Sequence, residues 1–187
     1  MMMPLTVSPT RTDVFIAREI ARHTTPSVER ASKAMTWGAD EHVLCTIALG
    51  WWLLSRRQPD QRRASTHVLL TTLTAALVPH LLKSVFNQQR PDRLTVLGHL
   101  HGAPVSGKSL DAFPSGHAVH IGALASAASE LPPALRNLSW SIGAALIATR
   151  VALLAHWTSD VLAGVAIGAG VERLLRYVTG YGRRPAA

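Results

Sequence analysis

Five apolar stretches separated by short, arginine-rich connectors constrain this chain more than any other feature. They cover residues 42–55, 67–82, 115–128, 138–149 and 161–175. Each is shorter than the roughly 20 residues that a perpendicular membrane span needs, but with its flanks each reaches across a thin or locally deformed bilayer. Any one of them would also suit a buried helix of a soluble bundle. Five within 187 residues point to the membrane, and so does a charged fraction of 16 % against about a quarter in soluble domains. No stretch alternates with the period of a strand. The expected fold is therefore all-α, a membrane-embedded helical bundle of about five spans preceded by an N-terminal amphipathic helix.

Small residues fill the last three stretches. Glycine at this density weakens a helix in water, whereas in lipid it lets helices approach closely. Gly164 and Gly168 have the small-xxx-small spacing of such contacts. Residues 1–36 read as a separate interfacial segment, with Val14, Phe15, Ala17, Ile20 and Ala21 on one helical face and Arg18 and Arg22 on the other. Residues 37–187 form the single membrane domain. The first ten residues have neither the basic start nor the apolar core of a signal peptide.

The net charge of +8 does not indicate nucleic acid. The cations sit in small clusters between apolar runs instead of along one polar face, where they meet acidic lipid headgroups. Cys45 is the only cysteine, so no intrachain disulfide forms.

Three clusters of reactive residues lie at the ends of apolar stretches, where a bundle presents side chains to a common mouth. The first is Lys83 with Arg90 and Pro91, the second Pro114-Ser115-Gly116-His117, and the third Thr149-Arg150 followed by His156 and Asp160. Charges at membrane depth are costly and usually functional. Lys83, Arg90 and Arg150 together suit a phosphate and the charge that develops on its equatorial oxygens. Ser115 and Gly116, at a helix start, offer backbone N–H groups to the same anion. His156 and Asp160, four apart, share a helical face, so a carboxylate there can hold one imidazole nitrogen protonated and leave the other free to attack. His117 is then available as a proton donor to the leaving oxygen. Singly, each piece has a plainer explanation: a snorkelling anchor, a core histidine, a loop-to-helix junction.

In this order and spacing the combination resembles the type 2 phosphatidic acid phosphatase superfamily. The three blocks are KSVFNQQRP (83–91), PSGH (114–117) and TRVALLAHWTSD (149–160), with Thr149 where the family usually has serine. The resemblance covers about residues 67–176. It implies an all-helical fold and hydrolysis that needs neither metal nor cofactor, through a phosphohistidine at His156. It further implies proton donation by His117, orientation of His156 by Asp160, and phosphate binding by Lys83, Arg90, Ser115, Gly116 and Arg150. The implied activity is that of a lipid phosphate or diphosphate phosphatase. The alternatives are a non-catalytic lipid-phosphate-binding protein or transporter, and a relative of the vanadate-dependent haloperoxidases of the same superfamily. His99 with His101, or His117 with His120, can be read as metal pairs, but no cysteine or carboxylate cluster completes a site, although Asp111 shares the loop.

The expected partners are a lipid-linked phosphate and the surrounding membrane lipids. The substrate stays open among polyprenyl diphosphate, phosphatidic acid, phosphatidylglycerol phosphate and a polyprenyl-linked sugar phosphate, and so does the oligomeric state. With five spans all three blocks share one face. The arginines at 56, 57, 62, 63, 136, 173, 176, 183 and 184 lie on the other. By the positive-inside rule that other face is cytoplasmic, which puts the active site of a bacterial inner-membrane protein on the exoplasmic side.

Overall fold

The computed structural model describes residues 4–91 and 110–182. Its helices are α1 (Arg11–His23), α2 (Pro26–Met35), α3 (Glu41–Ser55), α4 (Pro59–Val85), α5 (Gly116–Ala127), α6 (Pro133–Ala152) and α7 (Thr158–Thr179). Single 3₁₀ turns cover Thr36–Ala39 and Ala128–Glu130. Two residue pairs, β1 (Leu5–Thr6) and β2 (Phe86–Asn87), form a short parallel ladder, an extended element that the apolar pattern did not announce.

The expected helical fold is present, and each apolar stretch lies within one helix or slightly overruns its end. The helices α4, α6 and α7 run past their stretches because polar flanking turns continue the helix. Pro59 and Pro133 open α4 and α6 at positions where a missing N–H costs nothing. At 1.5 Å per residue, the 27, 20 and 22 residues of α4, α6 and α7 span about 40, 30 and 33 Å. Among the described residues α4 alone is both long and apolar enough by itself to cross a membrane. At the N-terminus there are two short helices where one was expected, each opened by a threonine whose hydroxyl accepts a backbone N–H.

The centre of the bundle is α5, with Ala118, Val119 and Ala123 wholly buried. Its closest partner is α7. A Cβ at Gly168 would run into the Val119 carbonyl, and one at Gly122 into the Val165 carbonyl. The two backbones therefore touch, as the small-xxx-small spacing predicts. Large apolar side chains point outward on the enclosing helices. Leu54, Leu77, Leu81, Leu162 and Leu174 are each more than 60 % exposed.

Candidate active site

The helix order brings the ends that carry the three sequence blocks to one end of the bundle: the C-termini of α4 and α6 and the N-termini of α5 and α7. His156 lies in the turn between α6 and α7, 3 % exposed. Its Nδ1 sits 2.7 Å from the Ala112 carbonyl oxygen. A carbonyl only accepts, so Nδ1 carries the proton and Nε2 keeps its lone pair. Burial first, then the fields of Arg90, Arg150 and Lys83, push the His156 pKa well below its ordinary 6.5; the Ala112 bond opposes them. The ring is thus neutral, with a free nucleophilic nitrogen, and the three cations expected at a phosphate all act on it.

Asp160 is fully buried in the first turn of α7. Its Oδ2 accepts from the Trp157 N–H at 2.9 Å and stands 4.0 Å from His156 Nδ1. In this geometry the direct hydrogen-bond partner of the histidine is the Ala112 carbonyl, with the carboxylate just beyond it. Asp160 acts on the turn as much as on the ring, because its carboxylate fastens Trp157, the neighbour of His156. The Trp157 indole N–H in turn donates to the Gln89 carbonyl at 2.7 Å, joining the third block to the first. The Ser115 N–H reaches the Asp160 carbonyl at 3.3 Å, joining the second block to the third.

Asp111 is the residue at this site that sequence reasoning missed as an anion-site partner. Arg90 Nε donates to its Oδ1 at 2.8 Å, and Lys83 Nζ lies 3.7 Å from its Oδ2. The carboxylate sits where it holds the two cations together. Arg150 donates from Nη1 to the Thr36 hydroxyl at 3.0 Å, so the segment before α3 also touches the site. Several buried polar atoms here lack a partner among the described residues: Arg150 Nε, Ser115 Oγ, His120 Nε2 and Asp160 Oδ1. Unmet buried donors are costly, and those of Arg150 and Ser115 suit an anion. His117, half-buried in the first turn of α5, lies in the field of Arg150 and Lys83. Among the described residues no three His, Cys, Asp or Glu side chains gather as a metal site would need; His99 and His101 lie outside those residues.

Comparison with known proteins places the fold. The model of the PAP2 superfamily matches residues 64–184. The lipid A 1-phosphatase of Rhizobium johnstonii is 38 % identical over 113 residues, which is 60 % of this chain and 46 % of that protein. The lipid A 1-phosphatase of Rhizobium etli is 35 % identical over 103 residues, 54 % of this chain and 44 % of that protein. The chain thus spans less than half the length of these curated relatives. Among solved structures, Aquifex aeolicus LpxE superposes with a TM-score of 0.74 at 15 % identity, covering 92 % of this chain and 99 % of that one. A transmembrane PAP2-type phosphatidylglycerolphosphate phosphatase from Bacillus subtilis gives 0.67 at 17 % identity, covering 94 % and 88 %. These two share the fold. With the three blocks gathered at one end of that fold, and the family model matching more than half of its length, this chain belongs to the PAP2 superfamily.

Proposed function

We propose that the chain is a membrane-embedded lipid phosphatase that works without a metal through a phosphohistidine at His156. One observation carries this reading: a buried, neutral His156 whose Nδ1 is held by Ala112, leaving Nε2 free within the fields of Lys83, Arg90 and Arg150. The negative charge of the bound phosphate lets His117 take up a proton beside it. Nε2 then attacks phosphorus, the P–O bond to the lipid breaks, and the protonated His117 gives that proton to the departing oxygen. A water, losing a proton to the same His117, then attacks the phosphohistidine. Inorganic phosphate leaves and His156 returns to its neutral form. Lys83, Arg90 and Arg150, with the backbone N–H groups at the start of α5, hold the charge on the equatorial oxygens. Asp111 keeps Lys83 and Arg90 in place between turnovers.

The outward leucines of the enclosing helices support membrane embedding by about five helices, because an apolar surface of this extent suits lipid better than water. The arginines of the α3–α4 turn and of the end of α7 support a cytoplasmic opposite face and an exoplasmic site. As substrate we favour lipid A 1-phosphate, after the activity for which the Rhizobium relatives are named. It was absent from the lipids weighed on sequence alone. A polyprenyl diphosphate or a glycerophospholipid phosphate fits the same chemistry.

Phosphate release is the test, using protein purified in detergent with lipid A 1-phosphate, undecaprenyl diphosphate, phosphatidic acid and phosphatidylglycerol phosphate. Release from lipid A 1-phosphate at the highest kcat/KM supports the full reading. Release from another lipid alone overturns the substrate, and release from none overturns the enzyme.

A further inference from the structure

Residues 1–40 lie outside the three blocks, and the resemblance assigns them nothing. The structure nonetheless joins them to the turn that carries His156 by three separate routes. The first is backbone. Val7 N–H donates to the Asn87 carbonyl at 2.8 Å, extending the β1–β2 pairing. Gln88, the next residue, exchanges bonds of 3.0 Å with Leu110 and Ala112. The Ala112 carbonyl is the one that holds His156. A continuous ladder therefore runs from the N-terminal strand to the imidazole.

The second route is packing. Leu154 takes a positive φ of 53°, a conformation that a bulky side chain rarely adopts and that the surroundings must enforce. Its side chain is 2 % exposed and clusters with Trp157, Ala112, and Ala17 and Ala21 of α1. The unusual turn bearing His156 is thus pressed into shape partly by α1.

The third route is a single carboxylate. Asp13, 3 % exposed, accepts from the Ser159 N–H at 2.9 Å and the Ser159 hydroxyl at 2.8 Å. It also accepts from the Thr10 N–H and hydroxyl at 2.9 and 2.8 Å. Ser159 belongs to the first turn of α7, whose N–H groups have no partner within the helix and whose dipole favours a negative charge. Asp160, the next residue, fastens the other side of that turn through Trp157.

We propose that Asp13 is a positioning residue of the active site: its carboxylate clamps the first turn of α7 to α1 and so sets the orientation of His156. The proposal rests on the phosphatase reading for its kinetic test, and a spectroscopic arm frees it from that dependence. The kinetic arm compares Asp13→Ala, Asp13→Asn, Ser159→Ala and Thr10→Ala in detergent, under conditions where each retains the native melting temperature within a few degrees. Asp13→Ala is expected to lower kcat about tenfold or more with KM changed less than twofold. Asp13→Asn, which keeps one acceptor for the Ser159 N–H, recovers part of that loss. Thr10→Ala loses far less, because it removes the cap of α1 and leaves both Ser159 bonds. If Asp13→Ala does not fold, Asp13→Asn and Ser159→Ala carry the comparison, each with a smaller fall in kcat. The spectroscopic arm records the ¹⁵N shifts of the His156 ring without substrate. The native ring is expected as the Nδ1–H tautomer, and Asp13→Ala shifts or broadens it while Thr10→Ala does not. Unchanged ring shifts in Asp13→Ala, or equal losses of kcat in Thr10→Ala and Asp13→Ala, overturn the clamp. A native protein inactive on every lipid phosphate, with ring shifts that still respond to Asp13→Ala, overturns the phosphatase reading and leaves the clamp standing.

Discussion

The two ends of α7 are built from similar residue types and have opposite characters. At the C-terminal end the buried carboxylate Glu172 is fully answered. Glu172 and His67, both fully buried, meet at 3.0 Å. Ser126 donates to Glu172 at 2.5 Å, Arg176 donates to it at 2.8 Å and also bonds Glu130, and the other nitrogen of His67 meets the Thr179 hydroxyl at 2.8 Å. At the N-terminal end the cations gather around His156, and Arg150, Ser115 and Asp160 each keep a buried polar atom without a partner among the described residues. A satisfied buried network rigidifies, whereas an unsatisfied one carries a standing cost. In a small helical bundle the far end reads as a staple joining α4, α5 and α7, and the near end as a site held short of its own minimum until an anion arrives.

The largest effect expected from this contrast is chemical. Replacing His156 by alanine should remove all phosphoenzyme, and replacing either histidine should cost at least about 10²–10⁴-fold in rate on a lipid substrate. The two differ with an activated aryl phosphate, whose leaving group departs without a proton. His117→Ala should then still be phosphorylated, and should stall because the water that releases the phosphate finds no base. Trapping acid-labile phosphohistidine on both variants decides it. Phosphoenzyme in His156→Ala would reverse the assignment.

Next in size is a pair that sets the two ends against each other. Arg150→Ala should lower kcat about 10²–10³-fold, the cost of one lost donor to a developing charge. Little melting temperature should be lost, since it gives up one hydrogen bond, to Thr36, and removes a buried Nε that had no partner among the described residues. Glu172→Ala should do the reverse. It takes from His67 its carboxylate partner and from Arg176 one of two. Breaking a buried pair costs roughly 3–5 kcal/mol, while the folded fraction keeps most of its turnover. Thermal unfolding in detergent beside initial rates tests both. An Arg150→Ala protein that melts much lower at unchanged kcat would erase the distinction.

How far this contrast was visible in the sequence follows from its chemistry. The three blocks are side chains at fixed spacing, so Lys83, Arg90, His117, Arg150, His156 and Asp160 could be placed at one mouth from the helix count alone. That the glycine-rich stretches pack closely was also legible, from the spacing of Gly164 and Gly168, but that α5 and α7 are the two that meet was not. The Ala112 carbonyl was not, since a backbone acceptor leaves no trace in residue type. Asp111 was noticed and given no cation to hold, because its partnership with Arg90 and Lys83 exists only once the chain folds back. The same is true of Asp13, separated from Ser159 by 146 positions. Glu172, however, was a signal left unread: a carboxylate inside the fifth apolar stretch demands a partner, and His67 at the start of the second was a candidate.

A smaller effect comes from filling the near end without chemistry. Vanadate adopts the five-coordinate geometry of the transferring phosphoryl group and should bind among Lys83, Arg90 and Arg150. At a hundred times its Kd it would stabilise the native state by about 2.7 kcal/mol, visible as a raised melting temperature. The rise should vanish in Arg150→Ala and persist in Glu172→Ala, and EDTA should change neither melting nor activity. Activity lost in EDTA and restored by a divalent ion would overturn the metal-free mechanism.

The smallest effect is the dependence of stability on pH at the near end. His156 is held neutral, with its pKa well below 6.5, whereas the unfolded chain protonates it near that value. Below 6.5 the unfolded state therefore binds the extra proton, and stability falls as pH falls, by up to about 1.4 kcal/mol per pH unit until the folded pKa is reached. Asp13 adds a second, lower window. Burial raises its pKa, but the bonds from Ser159 and Thr10 outweigh that and leave it below its ordinary 3.8. Its contribution is present above 3.8 and disappears as pH falls through the folded value. Asp160 works against the His156 window, because burial raises its pKa to about 7 and the folded state then holds its proton. The reading is therefore a difference between variants, in a series of melting temperatures run from pH 8 to 3. From pH 6.5 to 5 the native melting temperature should fall relative to that of His156→Gln, which has no proton to take up. Asp13→Asn should leave that upper window unchanged and flatten the curve only near its acid end. Identical slopes for the native protein and His156→Gln between 6.5 and 5 would mean that the turn already admits a proton in the folded state. The neutral nucleophile would then be lost, and with it the contrast between the two ends of α7.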